Sequence, residues 1–177
     1  MHAAIARLLE GHDPYPAVVV DRHWNVVQAN AGVGLLTEGL PSHLLAPPKN
    51  SLRVSLHPDG LAPRICNLRE LRAHVLRRLR HQVAVTADPA PFALERELKA
   101  LSPATNEREA EPEPEAEIFI PFRYRYGDRE LVFLSTVTTF GTALDITVAE
   151  LTLESFFPAD AQTRAFFAER TGQQANA

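Results

Sequence analysis

The chain has 177 residues, of which 45% are hydrophobic and 23% are charged, and its formal net charge is −4. This length and composition predict one globular domain and argue against wholesale disorder or a fibrous fold. Because the net charge is negative, the chain has no overall field that would attract nucleic acid, and we do not expect it to bind DNA alone.

The sequence favours a reducing, cytoplasmic setting. Its single cysteine, Cys66, can form neither an intramolecular disulfide nor a cysteine-based metal site. The N-terminus lacks the pattern of a signal peptide, and no run approaches the roughly 20 apolar residues that span a bilayer. We therefore expect neither secretion nor membrane insertion.

The first part of the chain predicts a lead-in helix and a short β-hairpin. A helix over residues 3–10 is followed by a glycine and two prolines, which force an extended path. β-branched and apolar residues then predict two pairing strands over 17–21 and 24–30. Asn30 closes the second strand and is expected to cap a short helix over 31–36.

An irregular helical layer is predicted next. The prolines of residues 40–63 leave room only for short helices such as 51–56. Asn67 is expected to cap a long helix over 68–86, and a second helix over 88–101 follows it. On the second helix, the residues available for burial are Phe92, Leu94 and Leu98. The polar face of the long helix is expected to carry Arg69, Glu70, His74, Arg77, Arg78 and His81.

The last part of the chain predicts a meander of three long strands. Residues 102–117 are acidic and rich in proline, and they predict a solvated loop. Alternating apolar residues predict strands over 118–126 and 131–140, joined by a Gly-Asp turn, and a third strand over 145–152.

A final helix is predicted after the meander. The Phe156-Phe157-Pro158 run is expected to lead into it, with Asp160 and Thr163 near its start and two further phenylalanines along it.

This order of elements predicts an α+β fold of the PAS-like type. We expect a five-stranded antiparallel sheet with helices packed on one face and terminal helices flanking it. The predicted organisation is a lead-in segment over 1–13, a PAS-like domain over 14–170 and a disordered tail over 171–177.

Four stretches of the sequence carry a family resemblance. They are residues 15–21 with Trp24 and Asn30, residues 50–61 with Asn67, the Arg77-Arg78-Leu79-Arg80 run, and a closing block over 140–150 and 154–160. Over about residues 14–165 the chain resembles the MmyB-like transcription-regulator ligand-binding domain. In that family the domain follows an XRE-type helix-turn-helix domain.

The resemblance implies the sensing domain of a bacterial transcription regulator, with a fatty-acid-like ligand held between sheet and helices. It also implies that DNA is read by a helix-turn-helix domain outside this chain. Because only about a dozen residues precede Tyr15, we expect either a fragment of a longer regulator or a standalone sensor acting through another protein. A homodimer is the expected assembly.

Two side chains are candidates for binding a ligand's polar head group. Arg72 falls within the apolar arc of the long helix, where an unpaired charge is costly, so it either meets an anion, snorkels outward or pairs with a protein carboxylate. His57 either faces the cavity mouth or serves the turn that follows it. The remaining candidate ligand-binding residues are Asn30, Leu71, Val75, Phe119, Phe122, Phe133 and Phe140, and the aromatic ones also suit a simple core.

The sequence gives little support to catalysis or to a cofactor. The seven histidines show no metal-binding spacing, the serines and Cys66 lie in no nucleophile elbow, and the glycines form no phosphate-binding loop. We therefore expect no enzyme activity, no metal and no cofactor beyond a bound fatty acid or similar apolar ligand. The alternatives are a ligand-free dimerisation or protein-interaction module and an enzyme on the same scaffold.

Overall fold

The computed structural model describes residues 2–86, 88–101, 120–139 and 151–175. Its helices are α1 (His2–Glu10), α2 (Val33–Thr37), α3 (Ser42–Leu45), α4 (Ser51–Leu56), α5 (Leu68–Val85), α6 (Ala90–Ala100) and α7 (Ala161–Ala175), with a 3-10 turn at Ala62–Arg64. Its strands are β1 (Ala17–Val20), β2 (Val26–Ala29), β3 (Phe122–Tyr126), β4 (Arg129–Thr139) and β5 (Thr152–Pro158). No helix in these ranges is long and apolar enough to cross a membrane.

The five strands form one antiparallel, curled sheet in the order β2-β1-β5-β4-β3. The first strand, β1, and the last strand, β5, are neighbours in this order. The sheet therefore joins parts of the chain that are far apart in sequence. The α+β fold with a five-stranded antiparallel sheet is therefore confirmed, and it is consistent with a PAS-like domain.

Side chains alternate along each strand, so the two faces of the sheet carry different residues and contact different helices. On the inner face, β1 contributes Val18 and Val20 to a core shared with α4, α5 and α6. On the outer face, Ala17 and Val19 pack with residues of α1 and with Leu153. Strand β1 therefore contacts the inner core through one set of side chains and α1 through the other.

The third strand of the predicted meander ends later than predicted. Residues 140–150 lie outside the described part of the chain, and the described strand β5 continues to Pro158. Alternation persists to that point, since Leu153 and Ser155 are buried on one face while Phe156 packs into the inner core. The Phe156-Phe157-Pro158 run is therefore strand and does not simply lead into α7.

Asn30 is not the N-cap of α2, and Asn67 is the N-cap residue of α5 but makes no side-chain capping bond, because both side chains make long-range contacts. The Asn30 side chain accepts a hydrogen bond from Ala17 N at 2.9 Å and donates to the Leu9 and Tyr15 carbonyls and to Asp13. The Asn67 amide donates to Pro121 O, and its oxygen accepts from Arg123 N, which ties α5 to β3. Neither side chain caps its helix.

Both of the remaining predicted helices are observed. The predicted helix over 88–101 is observed as α6, but Phe92 is 55% exposed on it. Helix α7 begins after Asp160, whose carboxylate accepts from Thr163 N at 2.7 Å, and it continues to Ala175, past the predicted boundary at 170. The acidic loop over 102–117 lies outside the described residues.

We predict that Asn30→Ala lowers the free energy of unfolding by about 2–4 kcal/mol, because it removes one acceptor and leaves two backbone carbonyls without their donor. Urea denaturation measures the change. Asn30→Asp should not restore stability, since it keeps the acceptor but turns the donor into a second carboxylate beside Asp13. An alanine variant as stable as the wild type would show that these bonds contribute nothing net.

Candidate ligand-binding site

A cavity of about 590 Å³ lies between the inner face of the sheet and helices α2, α4 and α5. Its volume falls in the range of about 300–1,000 Å³ that is usual for small-molecule sites. The walls are mostly apolar. They include Val18, Val26, Val33, Leu36, Leu52, Val54, Leu61, Leu71, Val75, Phe122, Val137 and Phe156.

The helical periodicity of α5 and the strand register together place two charged groups on this wall. Leu71, Val75 and Arg78 follow one another at four- and three-residue steps, so they lie on one face of α5. On the sheet, Glu154 of β5 pairs with Val18 of β1 on one side and Val137 of β4 on the other. A carboxyl group therefore lies in the middle of the cavity floor, between two valines.

Arg78 is held by an aromatic ring. Its guanidinium carbon lies 4.2 Å from the centroid of the Trp24 ring, and the Trp24 indole donates to Gln82 Oε1 at 3.1 Å. Burial lowers the pKa of Arg78, while the charge of Glu154 acts in the opposite direction. A cation over a desolvated tryptophan face gains about 2 kcal/mol, which offsets part of the cost of placing the charge there.

The turn before β2 imposes an unusual backbone on Trp24. Its φ is +67°, a left-handed conformation that bulky side chains rarely adopt. The Asp21 carboxylate stabilises this turn, accepting from the backbone N of His23 at 2.8 Å and of Asn25 at 2.9 Å. Backbone strain of this kind is often stored where a side chain must be held in place, and here the side chain is the platform for Arg78.

Glu154 lies in surroundings that disfavour its ionised form. Burial raises the pKa of the Glu154 carboxyl, and the Arg78 charge lowers it by a smaller amount. In the part of the chain that the structure describes, no hydrogen bond or salt bridge joins the two groups, and neither has another hydrogen-bond partner. We call Arg78 and Glu154 the polar pole of the cavity. Polar groups in such settings are usually hydrogen-bonded, so the polar pole is suited to a ligand.

The wall also carries other polar side chains. They are Thr37, Lys49, Ser51, Ser55, His74, Ser135 and Thr136. Burial and the charges of Arg77 and Arg78 lower the pKa of His74, which favours its neutral form.

Three of the predicted site residues lie on the cavity wall: Leu71, Val75 and Phe122. Phe133 is fully buried and stacks on Phe122 with ring centroids 5.9 Å apart, so it supports the wall from behind. Phe119 and Phe140 lie outside the described residues.

The other three predicted site residues are engaged elsewhere. Arg72 donates to the Leu98 and Lys99 carbonyls at 2.8 and 3.0 Å, where it satisfies the end of α6. Asn30 hydrogen-bonds to Ala17 N and to the Tyr15 carbonyl. His57 Nδ1 accepts from Asp59 N at 3.0 Å, as a turn residue would. None of them lines the cavity in the described structure, and ligand contact by these residues stays a prediction.

His57 does take part in a small cluster that the sequence spacing did not reveal. Potential ligand atoms of His43, His57 and Asp59 all lie within 4.8 Å of one another. His43 and Asp59 are exposed, and the Asp59 backbone N–H already donates to His57 Nδ1. The arrangement therefore serves the turn and offers a metal ion only a partial, open set of ligands.

The polar pole was missed by sequence reasoning, which placed Arg78 on the polar face of the long helix. That placement is wrong, and the signal was available in the spacing of Arg78 from Leu71 and Val75. Glu154 was missed because it lies beyond the predicted end of its strand.

An α+β domain with a mostly apolar cavity between sheet and helices, and a few charged groups on its wall, belongs to the class of small-molecule-binding domains. The family described as MmyB-like transcription regulator ligand binding domain matches residues 1–169. The chain belongs to this family, so it is the ligand-binding domain of a transcription regulator. The match includes α1, which packs on the sheet as part of the domain. A search of curated proteins gives no match.

We predict that Glu154→Gln stabilises the ligand-free protein, and that the gain grows with pH. Because burial raises the folded-state pKa of Glu154, the wild type loses stability as pH rises through that pKa, and the glutamine variant does not. Below the unfolded-state pKa of about 4.3 both side chains are neutral and the difference should vanish. Thermal melts from acid to neutral pH measure it.

Glu97→Gln is the matched control for this experiment and should behave in the opposite way. Its hydrogen bond from Arg53 lowers the pKa of Glu97, so that substitution removes a contribution that is present at neutral pH and lost on acidification. The same sign of effect for both variants would contradict the assignment of Glu154 as a group strained by ionisation.

Proposed function

We propose that this domain senses an apolar, fatty-acid-like small molecule that binds in the cavity between the sheet and the helices. The observation that carries the proposal is the cavity itself, with mostly apolar walls and the polar pole formed by Arg78 and Glu154. Each buried CH₂ group of a ligand contributes about 0.8 kcal/mol, so a hydrocarbon chain supplies most of the affinity and the polar pole orients it.

Strand β1 provides a route from the cavity to the N-terminal helix. Val18 lies on the cavity wall, while Val19, the next residue, packs under Ile5 and Leu9 of α1. A ligand with different affinities for two positions of β1 shifts the balance between two positions of α1. In the regulator, we expect DNA to be read by a helix-turn-helix domain of the XRE type and the protein to act in the cytoplasm.

The alternative function is a dimerisation or protein-interaction module that carries no ligand. It is favoured by an apolar patch on the outer face, where Leu134 and Phe157 are neighbours on adjacent strands and are 41% and 37% exposed. A homodimer through this face is compatible with either function.

Catalysis is not part of the proposal. Ser155 Oγ lies 3.3 Å from His12 Nε2. However, Ser155 lies between Glu154 and Phe156 on β5, and both of those side chains line the cavity. Because side chains alternate along a strand, Ser155 points to the opposite face of the sheet. This Ser-His pair is consequently separated from the cavity by the sheet.

We predict that the purified protein carries a lipid-like molecule, detected by native mass spectrometry and identified after denaturing extraction. Val75→Phe, which fills the cavity, should abolish that extra mass, whereas Val85→Phe on the exposed end of the same helix should retain it. The same spectra give the number of subunits. A dimer without any bound molecule, together with no stabilisation by added acyl compounds, would favour the alternative.

We further predict that ligand changes the hydrogen exchange of α1. Backbone amides of residues 2–10 should exchange at a different rate in the ligand-bound protein, because α1 rests on β1. The amides of α6 provide the comparison, since α6 packs on α5 away from this contact. Equal exchange in α1 with and without ligand would contradict transmission through β1.

A further inference from the structure

The polar pole contains two opposite charges that leave their hydrogen-bonding capacity unused. The Arg78 guanidinium has the Trp24 ring against one face, and no hydrogen bond to it is found within the described residues. Glu154 faces the same cavity from the centre of the sheet, and it too has no hydrogen-bond partner there. A ligand head group between them can contact both.

The charge balance restricts how an acid can bind at this place. An ionised carboxylate suits the N–H groups of Arg78, which are all donors. An ionised Glu154 would place a second negative charge close to it in apolar surroundings. When two carboxylates share one site, they cannot both be ionised without a large cost, and one of them takes up a proton.

We propose that Arg78 and a protonated Glu154 together bind the carboxylate head group of the ligand, so that one proton enters the site with each ligand. This inference rests on the proposed function. N–H groups of Arg78 donate to one carboxylate oxygen, and the Glu154 O–H donates to the other. The proton comes from solvent and stays on Glu154 while the ligand is bound.

The surroundings make this proton uptake favourable. Val18 and Val137 flank Glu154 on the neighbouring strands, and neither can hydrogen-bond to its carboxylate form. Burial already raises the pKa of Glu154 before any ligand is present. Trp24 acts as a positioning residue, because its ring holds the guanidinium in place.

His74, the histidine on the cavity wall, does not account for the proton. Besides the polar pole, the ionisable side chains on the described wall are His74 of α5 and Lys49, which precedes α4. The pKa of His74 is lowered, so His74 is neutral above about pH 7. A free carboxylic acid is fully ionised in the same range. Among the described residues, we therefore assign the proton taken up on binding to Glu154, the carboxyl group that faces the same cavity as Arg78.

The experiment compares decanoic acid with decan-1-ol, both below their self-association concentrations, on the full chain after delipidation. Trp24 is the single tryptophan and lies on the cavity wall, so its fluorescence reports binding directly. In the wild type, the Kd of the acid should rise by up to about tenfold per pH unit between about pH 7 and pH 9. The Kd of the alcohol should stay constant.

Three variants separate the roles of the side chains. Glu154→Gln keeps a donor without a titrating proton, so it should bind the acid with a Kd that does not depend on pH. Arg78→Met should raise the Kd of the acid by about 10–100-fold and leave the Kd of the alcohol nearly unchanged. Arg77→Met is the control, since Arg77 is exposed on the same helix and should leave both Kd values unchanged.

The outcomes separate the inference from the function on which it rests. If the alcohol binds but the acid binds no better, or if the acid's Kd in the wild type is independent of pH, the proposed head-group site is wrong and the cavity function stands. Loss of acid binding in Glu154→Gln, with alcohol binding retained, would also overturn it. If the wild type binds neither compound, the fatty-acid-like ligand itself is wrong.

Discussion

The structure depends on the register of β5, the central strand of the sheet. Strand β5 is paired on both sides, with β1 and with β4, so a shift by one residue would have to break both ladders. Such a shift would also turn Glu154 toward α1 and bring Leu153 into the cavity. The packing of Leu153 against Ile5 and Leu9 therefore fixes the polar pole from the opposite face of the sheet.

The cavity costs the protein stability, and the arrangement of its polar groups reflects this cost. A solid apolar core would be more stable than one with an open space, a guanidinium and a carboxyl group. The unfavourable contributions to stability come from a few positions: the strained backbone of Trp24, the stacked Arg78 and the desolvated Glu154. Features that lower stability without serving packing are expected where a protein binds its ligand.

The regular parts of this fold could be predicted because they follow from local periodicity. The long helix, the hairpin and the alternation of β3 and β4 all read directly from apolar spacing. The site could be predicted only in part. Arg72 and Arg78 lie on the same helix, and the sequence analysis placed Arg72 in the apolar arc and Arg78 on the polar face. Which of them meets the cavity depends on the end of α6, whose carbonyls take up Arg72. That contact is tertiary and leaves no local signal.

A carboxyl group suits the cavity that contains Arg78 better than a second arginine would. Two cations in one apolar space would bind an acid strongly at every pH, and the empty domain would be destabilised by their repulsion. A cation with a protonatable partner avoids that repulsion between the two and still accepts an acid when a proton accompanies it. With the proposed site, the domain would respond to the ligand and to pH through one pair of side chains, and β1 would carry both signals to α1 because it contacts the cavity and that helix at once.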